Sequence, residues 1–162
     1  MFIDVFDVIS TADKKKEVTV WSVTVGLLMT VLFSAAAAYL GLKVGQVFEA
    51  AIPIAILAVG LSSAFKKNDS LSQNVIIQSI GACSGAVVAG SIFTLPAIYI
   101  LGLEVNYLQM VMSSLLGAVL GILFLIPFRK YFVKEMHGKY PFPEATATSQ
   151  VLVSGESGGN SA

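Results

Sequence analysis

Between Asn74 and Leu103 the chain reads NVIIQSIGACSGAVVAGSIFTLPAIYILGL, and from Val75 to Leu103 it carries no charged side chain. As a helix this stretch extends about 43 Å, longer than the roughly 30 Å hydrocarbon core of a bilayer. It must tilt, project past the membrane, or break. Gln78, Ser79 and Ser84 put polar groups toward one end, small residues fill the middle, and Pro96 removes a backbone donor toward the other end. Unpaired backbone at membrane depth survives only when buried in protein or lining a wet cavity. Two readings follow: one tilted helix packed by its small face, or two pieces beside a polar path.

The composition supports a membrane setting. Hydrophobic residues make up 56% of the 162-residue chain, above the 45–50% or so of soluble domains. Charged residues are 12% and sit between apolar runs rather than inside them. Zero net charge gives no basic field for nucleic acid, so no nucleic-acid partner is expected. The single cysteine, Cys83, has no partner for an internal disulfide and reads as a small packing residue. A single histidine, His137, argues against a histidine-based metal site, and no metal or other cofactor is expected.

Four apolar runs can be drawn, at 20–40, 47–65, 75–103 and 107–128, with no alternating β pattern. The expectation is an all-α, polytopic membrane protein of about four transmembrane helices, the third long and either tilted or broken. Residues 1–19 form an amino-terminal segment, 20–128 the four-span region, and 129–162 a tail that is cytoplasmic or re-enters the membrane. Phe2, Ile3, Phe6 and Ile9 can make one face of a short amphipathic helix, although a frayed terminus fits equally. The first run has the basic lead and A-x-A look of a secretory signal, but it continues for 21 residues and three more runs follow.

The residues between the runs carry the chemistry. Glu49 opens the second run, where a glutamate at the membrane edge reaches water while a deeper one is functional. The edge reading is the plainer, with Lys43 as a neutralising neighbour. After Phe65 comes KKNDSLSQN, with a helix start at Asp69, Ser70 or Ser72. Gly117 and Gly121 on the fourth run, and Gly81, Gly85 and Ala89 on the third, have the small-residue spacing that brings helix backbones together. Pro141 and Pro143 stop a helix, Glu144 begins a stretch able to restart one, and SGESGGNSA reads as flexible.

Orientation follows from the basic residues. With the amino terminus in the cytoplasm, nine of the ten Lys and Arg side chains lie inside and only Lys43 lies outside. No nucleophile–base pairing can be drawn from His137 and Cys83, so an enzyme is not expected.

Three stretches taken together resemble the oligopeptide transporter family, which includes the yellow stripe-like metal-chelate transporters. They are EVT at 17–19 leading through AAAAYLGLKVG at 35–45 into AAIPIAIL at 50–57; NVIIQSIGACSGAVVAGSIFTLPAIYIL at 74–101; and YPFPEATATSQVL at 140–152. The resemblance covers about residues 17–156 and is greatest to the bacterial branch. It implies an inner-membrane secondary transporter that imports small peptides or metal-chelate complexes and is coupled to protons. Members have well over a dozen spans, so this chain would be an amino-terminal part that works with the remaining spans or a second copy.

Residue by residue, the resemblance makes Asn74, Gln78, Ser84, Thr94 and Pro96 the substrate-path candidates. Asn74 and Gln78 lie one helical turn apart on one face, and their amides can both donate to and accept from peptide groups. Glu144 matches the acidic residue of PFPE and is the first candidate for proton coupling, with Glu49 second; its other reading is an anion stabilised at a helix N-terminus. Two departures stand out: Glu49, where many relatives carry a small residue, and Ala145, where the family motif has glycine. The competing reading is a small non-transporting membrane protein that acts through helix association.

Overall fold

The computed structural model describes residues 18–65, 70–104, 106–136 and 138–157. The amino-terminal amphipathic segment, Lys14–Lys16, Lys66, Lys67, Asp69 and His137 lie outside them. The described residues form five α-helices: α1 Val20–Val44, α2 Ala51–Ala64, α3 Leu71–Ile100, α4 Tyr107–Lys130 and α5 Pro143–Ser157, with one π-helical turn at Tyr131–Glu135 after α4. No strand occurs among them. Two compact units result, one of residues 1–92 with 143–162, the other of residues 93–142.

Local chemistry sets the helix ends. Thr19 caps α1 through a reciprocal box, its hydroxyl accepting from the Ser22 amide at 3.1 Å while the Ser22 hydroxyl accepts from the Thr19 amide at 2.9 Å. Asn106 caps α4 by accepting from the Leu108 amide at 3.1 Å. The end of α3 is a Schellman turn: Gly102 takes φ +65°, its N–H donates to the Tyr99 carbonyl at 3.1 Å, and the Leu103 N–H donates to that of Ile98 at 3.1 Å. Pro143 occupies the first position of α5, where its missing N–H costs nothing.

In the first unit α1 and α3 run parallel. The Thr19 hydroxyl donates to the Gln73 side chain at 3.3 Å and that of Thr30 to the Ile80 carbonyl at 2.8 Å. Gly26 packs against Ile80, and Gly41 against Ile92. Two parallel neighbours joined in sequence require the chain between them to return the whole way. It does so through non-helical residues 46–50 followed by α2, which lies antiparallel to α3. Glu49 sits beside Gly85, Ile54 packs on Gly81, and the Ser62 hydroxyl donates to the Asn74 carbonyl oxygen. Edge-to-face contact of Trp21 and Phe65, centroids 4.9 Å apart, closes the return at the level where α1 began. Met29, Ala50, Ile54, Ala58 and Ile77 form the core of this packing.

Three helices are long and apolar enough to cross a membrane by length and composition: Val20–Val44, Leu71–Ile100 and the continuous Tyr107–Glu135. The expected second span differs, because only its 14 residues Ala51–Ala64 are helical. At about 1.5 Å per residue they reach only about 21 Å, so the non-helical lead makes up the remainder of the return. The third run is a single helix, continuous through Pro96 to Ile100. The division between the two units falls between Ile92 and Phe93, and Ile92 is the residue whose carbonyl Pro96 deprives of a donor.

Two other expectations change. Cys83 is exposed rather than packed, its thiol near the Ser79 carbonyl at 3.4 Å. The tail is not flexible through Ser154–Ser157, which belongs to α5. Leu152 is buried with Ala55 and Leu71, and Gly155 packs against Val59, so α5 runs alongside α2.

In the second unit α4 has no buried residue. Nothing lies within 4 Å of a Cβ built on Gly117 or Gly121. By contrast a Cβ on Gly81 would meet Ile54 at 2.7 Å. Gly81→Leu is therefore expected to destabilise the protein by about 1–3 kcal/mol through overpacking, and Gly117→Leu to leave the melting of the first unit unchanged. Thermal unfolding in detergent, followed by helical circular dichroism, distinguishes the two.

Candidate functional site

Glu49 is not at the edge of its neighbours. It faces Gly85, the fifteenth of the thirty residues of α3. A Cβ on Gly85 would lie 3.4 Å from Glu49 Oε2 and 3.6 Å from Oε1, so the missing side chain of that glycine leaves the space the carboxylate uses. The non-helical stretch before α2 carries Glu49 to this level. The expected pairing with Lys43 does not form: Lys43 Nζ stands over the Tyr39 ring at 5.7 Å, and among the described residues Glu49 has no ion pair.

Beside Glu49 lies a cleft of about 440 Å³. Its polar wall is made by Glu49, Gln78, Glu144, Thr148 and Ser149, and its apolar floor by Leu71, Val75, Leu152 and Val153. Each polar residue has a structural reason to be there. Glu49 precedes α2 by two residues, and Glu144 is the second residue of α5. Both short helices thus begin at this cleft, each presenting unpaired backbone N–H groups and a partial positive charge to a nearby carboxylate. Ser149 donates back to the Ala145 carbonyl at 2.7 Å. Thr148 is 6% exposed, and its hydroxyl has no hydrogen-bond partner. No lysine, arginine or histidine among the described residues lines the cleft.

The substrate-path candidates separate. Asn74 is 2% exposed and its amide is engaged on both sides, accepting from Ser62 and donating to the Ser70 hydroxyl at 3.2 Å. It joins α2 to α3, outside the cleft wall. Gln78, one turn further along, lines the cleft. Ser84 is completely buried, with an unpartnered hydroxyl, and is not part of the wall. Thr94 and Pro96 belong to the second unit. The two coupling candidates, Glu144 and Glu49, come together at one cleft although 95 positions apart in sequence.

Of the packing candidates, Gly81 receives Ile54, Gly85 receives the Glu49 carboxylate, and Gly117 and Gly121 face open space. Gly26, Gly41 and Gly155 also make close approaches that sequence reasoning passed over. The spacings Ser22-x3-Gly26 and Ala37-x3-Gly41 on α1, all four residues buried, were the available signal. Thr148 and Ser149 were missed as cleft residues because only the docking of α5 on α2 brings them there.

Comparison with known proteins fits this arrangement. The family model described as "OPT oligopeptide transporter protein" matches residues 17–162. The chain belongs to the oligopeptide transporter family. A Haemophilus influenzae protein named "Putative oligopeptide transporter" is 32% identical over 119 residues, covering 72% of this chain. The alignment takes in 18% of that relative's length. No solved structure matches the chain. Membership of this family, together with the long apolar helices, makes it a multi-pass membrane protein.

The division between Asn74 and Gln78 is open to test. Asn74→Leu leaves the Ser62 hydroxyl without its acceptor and is expected to lower stability by about 0.5–2 kcal/mol. Gln78→Leu is expected to change stability by less than about 0.5 kcal/mol. Denaturant titration in detergent micelles compares them directly.

Proposed function

We propose that the chain is part of a secondary transporter that moves small peptides or metal-chelate complexes across the membrane, driven by protons. The observation that carries this reading is the cleft itself. Two carboxylates and an amide line a cleft where two short helices begin, half-way along a helix long enough to span. Ionisable groups at membrane depth are costly and mark ion or substrate pathways. Secondary transporters build such sites from helices interrupted near the bilayer midplane, with helix N-termini and non-helical backbone facing the ligand.

In this reading Gln78 offers a donor and an acceptor to a peptide group, and Glu144 and Glu49 are the proton-carrying candidates. The amino terminus lies in the cytoplasm and the protein in the inner membrane, as the placement of Lys and Arg favours. Alternating access comes from movement of this packed unit against further spans. The exposed α4, with Gly117 and Gly121 open, supplies a face for those spans or for a second copy.

The helix-association reading draws on that same open α4 face. It leaves unexplained the carboxylate at Gly85 and the polar wall. Proteoliposome uptake of labelled di- to tetrapeptides and of iron chelates, comparing this chain with the gene's full reading frame, tests the proposal. In the full product, uptake stops when a protonophore collapses the gradient, and Gln78→Leu reduces it at least tenfold with insertion intact. Undiminished uptake by that variant removes Gln78 from the path. Absence of uptake by either product overturns the transporter reading in favour of association.

A further inference from the structure

We infer that the segment leaving α4, residues 129–142, is a binding surface for the phosphate headgroups of anionic phospholipids. It lies wholly within the second unit and is independent of the cleft. Depth is its first support. From Tyr107 to Phe128 the chain carries no charge. At about 1.5 Å per residue that helical stretch extends about 33 Å, close to the roughly 30 Å hydrocarbon core of a bilayer. Arg129 is the first charged side chain beyond it, and the helical backbone continues to Glu135. Those residues fall in the headgroup layer.

The second support is charge. Arg129, Lys130, Lys134 and Lys139 follow one another closely, with Glu135 the one acidic residue among them. All four cations are exposed, and among the described residues none is in an ion pair. Backbone geometry keeps them together. Lys130 and Lys134 lie about one turn apart on continuous helical backbone. The π-helical turn closes with the Met136 N–H donating to the Tyr131 carbonyl at 2.9 Å. Gly138, at φ +74°, then turns the chain, and the Lys139 N–H donates to the Met136 carbonyl at 3.1 Å. Lys139 is thereby held at the end of the same turn.

The third support favours a lipid over a dissolved anion. Tyr131 and Phe132 stand edge to face with ring centroids 5.2 Å apart, and Tyr140 and Phe142 do so at 6.4 Å. All four rings are exposed. Rings of this kind are enriched where headgroups meet acyl chains. A dissolved anion gains nothing from them, whereas a phospholipid offers its phosphate to the cations and its glycerol and upper acyl chains to the rings. Arg129 can take two phosphate oxygens at once, and the lysines supply point charges. A zwitterionic headgroup carries its own compensating cation. Each basic group near the surface therefore favours anionic lipid by about fivefold.

The test is hydrogen–deuterium exchange of the full reading frame product in lipid nanodiscs, read on the peptides covering residues 129–142. Nanodiscs of phosphatidylcholine alone are compared with nanodiscs that also hold phosphatidylglycerol. Their two leaflets are alike, so the orientation of the protein does not enter. Exchange across the segment is expected to slow when phosphatidylglycerol is present. Combining Arg129→Gln, Lys130→Gln, Lys134→Gln and Lys139→Gln should erase the slowing. It should also weaken phosphatidylglycerol binding, read by native mass spectrometry in detergent, at least about tenfold. A charge-conserving variant, Arg129→Lys with Lys130→Arg, Lys134→Arg and Lys139→Arg, should retain both effects. Equal exchange of the unaltered protein in the two kinds of nanodisc overturns the inference. Slowing that persists in the glutamine variant overturns it, as does loss of the slowing in the charge-conserving one. So does slowing produced by inorganic phosphate in phosphatidylcholine nanodiscs, which marks a site for a dissolved anion.

Discussion

The parallel packing of α1 and α3 is the constraint on which the first unit depends. Once Thr19 meets Gln73 and Gly41 meets Ile92, the intervening chain has to travel back the full distance. A continuous helix could do so in about twenty residues. This chain uses a 14-residue helix and a non-helical lead. Backbone without helical hydrogen bonds is tolerated at membrane depth only inside protein or against water. The interruption therefore requires a protein environment around residues 46–50, which α1 and α3 supply in part, with Gly41 near the Gln46 carbonyl and Gly85 beneath Glu49.

From that interruption the site follows. A helix that starts part-way along its neighbours exposes its first N–H groups there, and α2 starts at Ala51. The proline pair at 141 and 143 makes α5 start afresh, and its contact with α2 through Leu152, Ala55, Gly155 and Val59 brings that second start to the same cleft. Two helix N-termini side by side are an electropositive pair, and a carboxylate at each is the natural complement. Structural and functional explanations of Glu144 thus share one geometry. An anion seated at a helix start is stabilised there whether or not it also meets a proton or a ligand.

Much of this was legible in the sequence. The apolar runs, the helical class and the helix start within PFPE follow from hydropathy, capping and proline chemistry, all of which act locally. The NxxxQ pair was legible as a shared face, yet not as two roles. Ser62 takes up the amide of Asn74, and that contact depends on the antiparallel fit of α2 on α3. The level of Glu49 along α3 was not legible for a similar reason. Counting from the start of an apolar run puts it at an edge, but the depth of a residue is set by its neighbours when the chain leading to it is not helical. Cys83 shows the reverse: an apolar stretch says nothing of which face a residue takes, and this one is exposed.

The glycines show how one spacing serves several ends. On α3, Gly81 makes room for Ile54, an apolar contact between helices. One turn on, Gly85 makes room for a carboxylate. On α4 the same interval at Gly117 and Gly121 meets nothing within this chain. The pattern therefore specifies only that something approaches closely, and the approaching element defines the role. A larger residue at 85 would have to displace the charge or tilt α2 away, since 3.4 Å already lies at the short end of ordinary contact for a Cβ. The presence of Glu49 half-way along a helix long enough to span and the absence of a side chain at 85 are thus a single structural fact, and one carboxylate of the polar cleft is in place because the two residues satisfy it together.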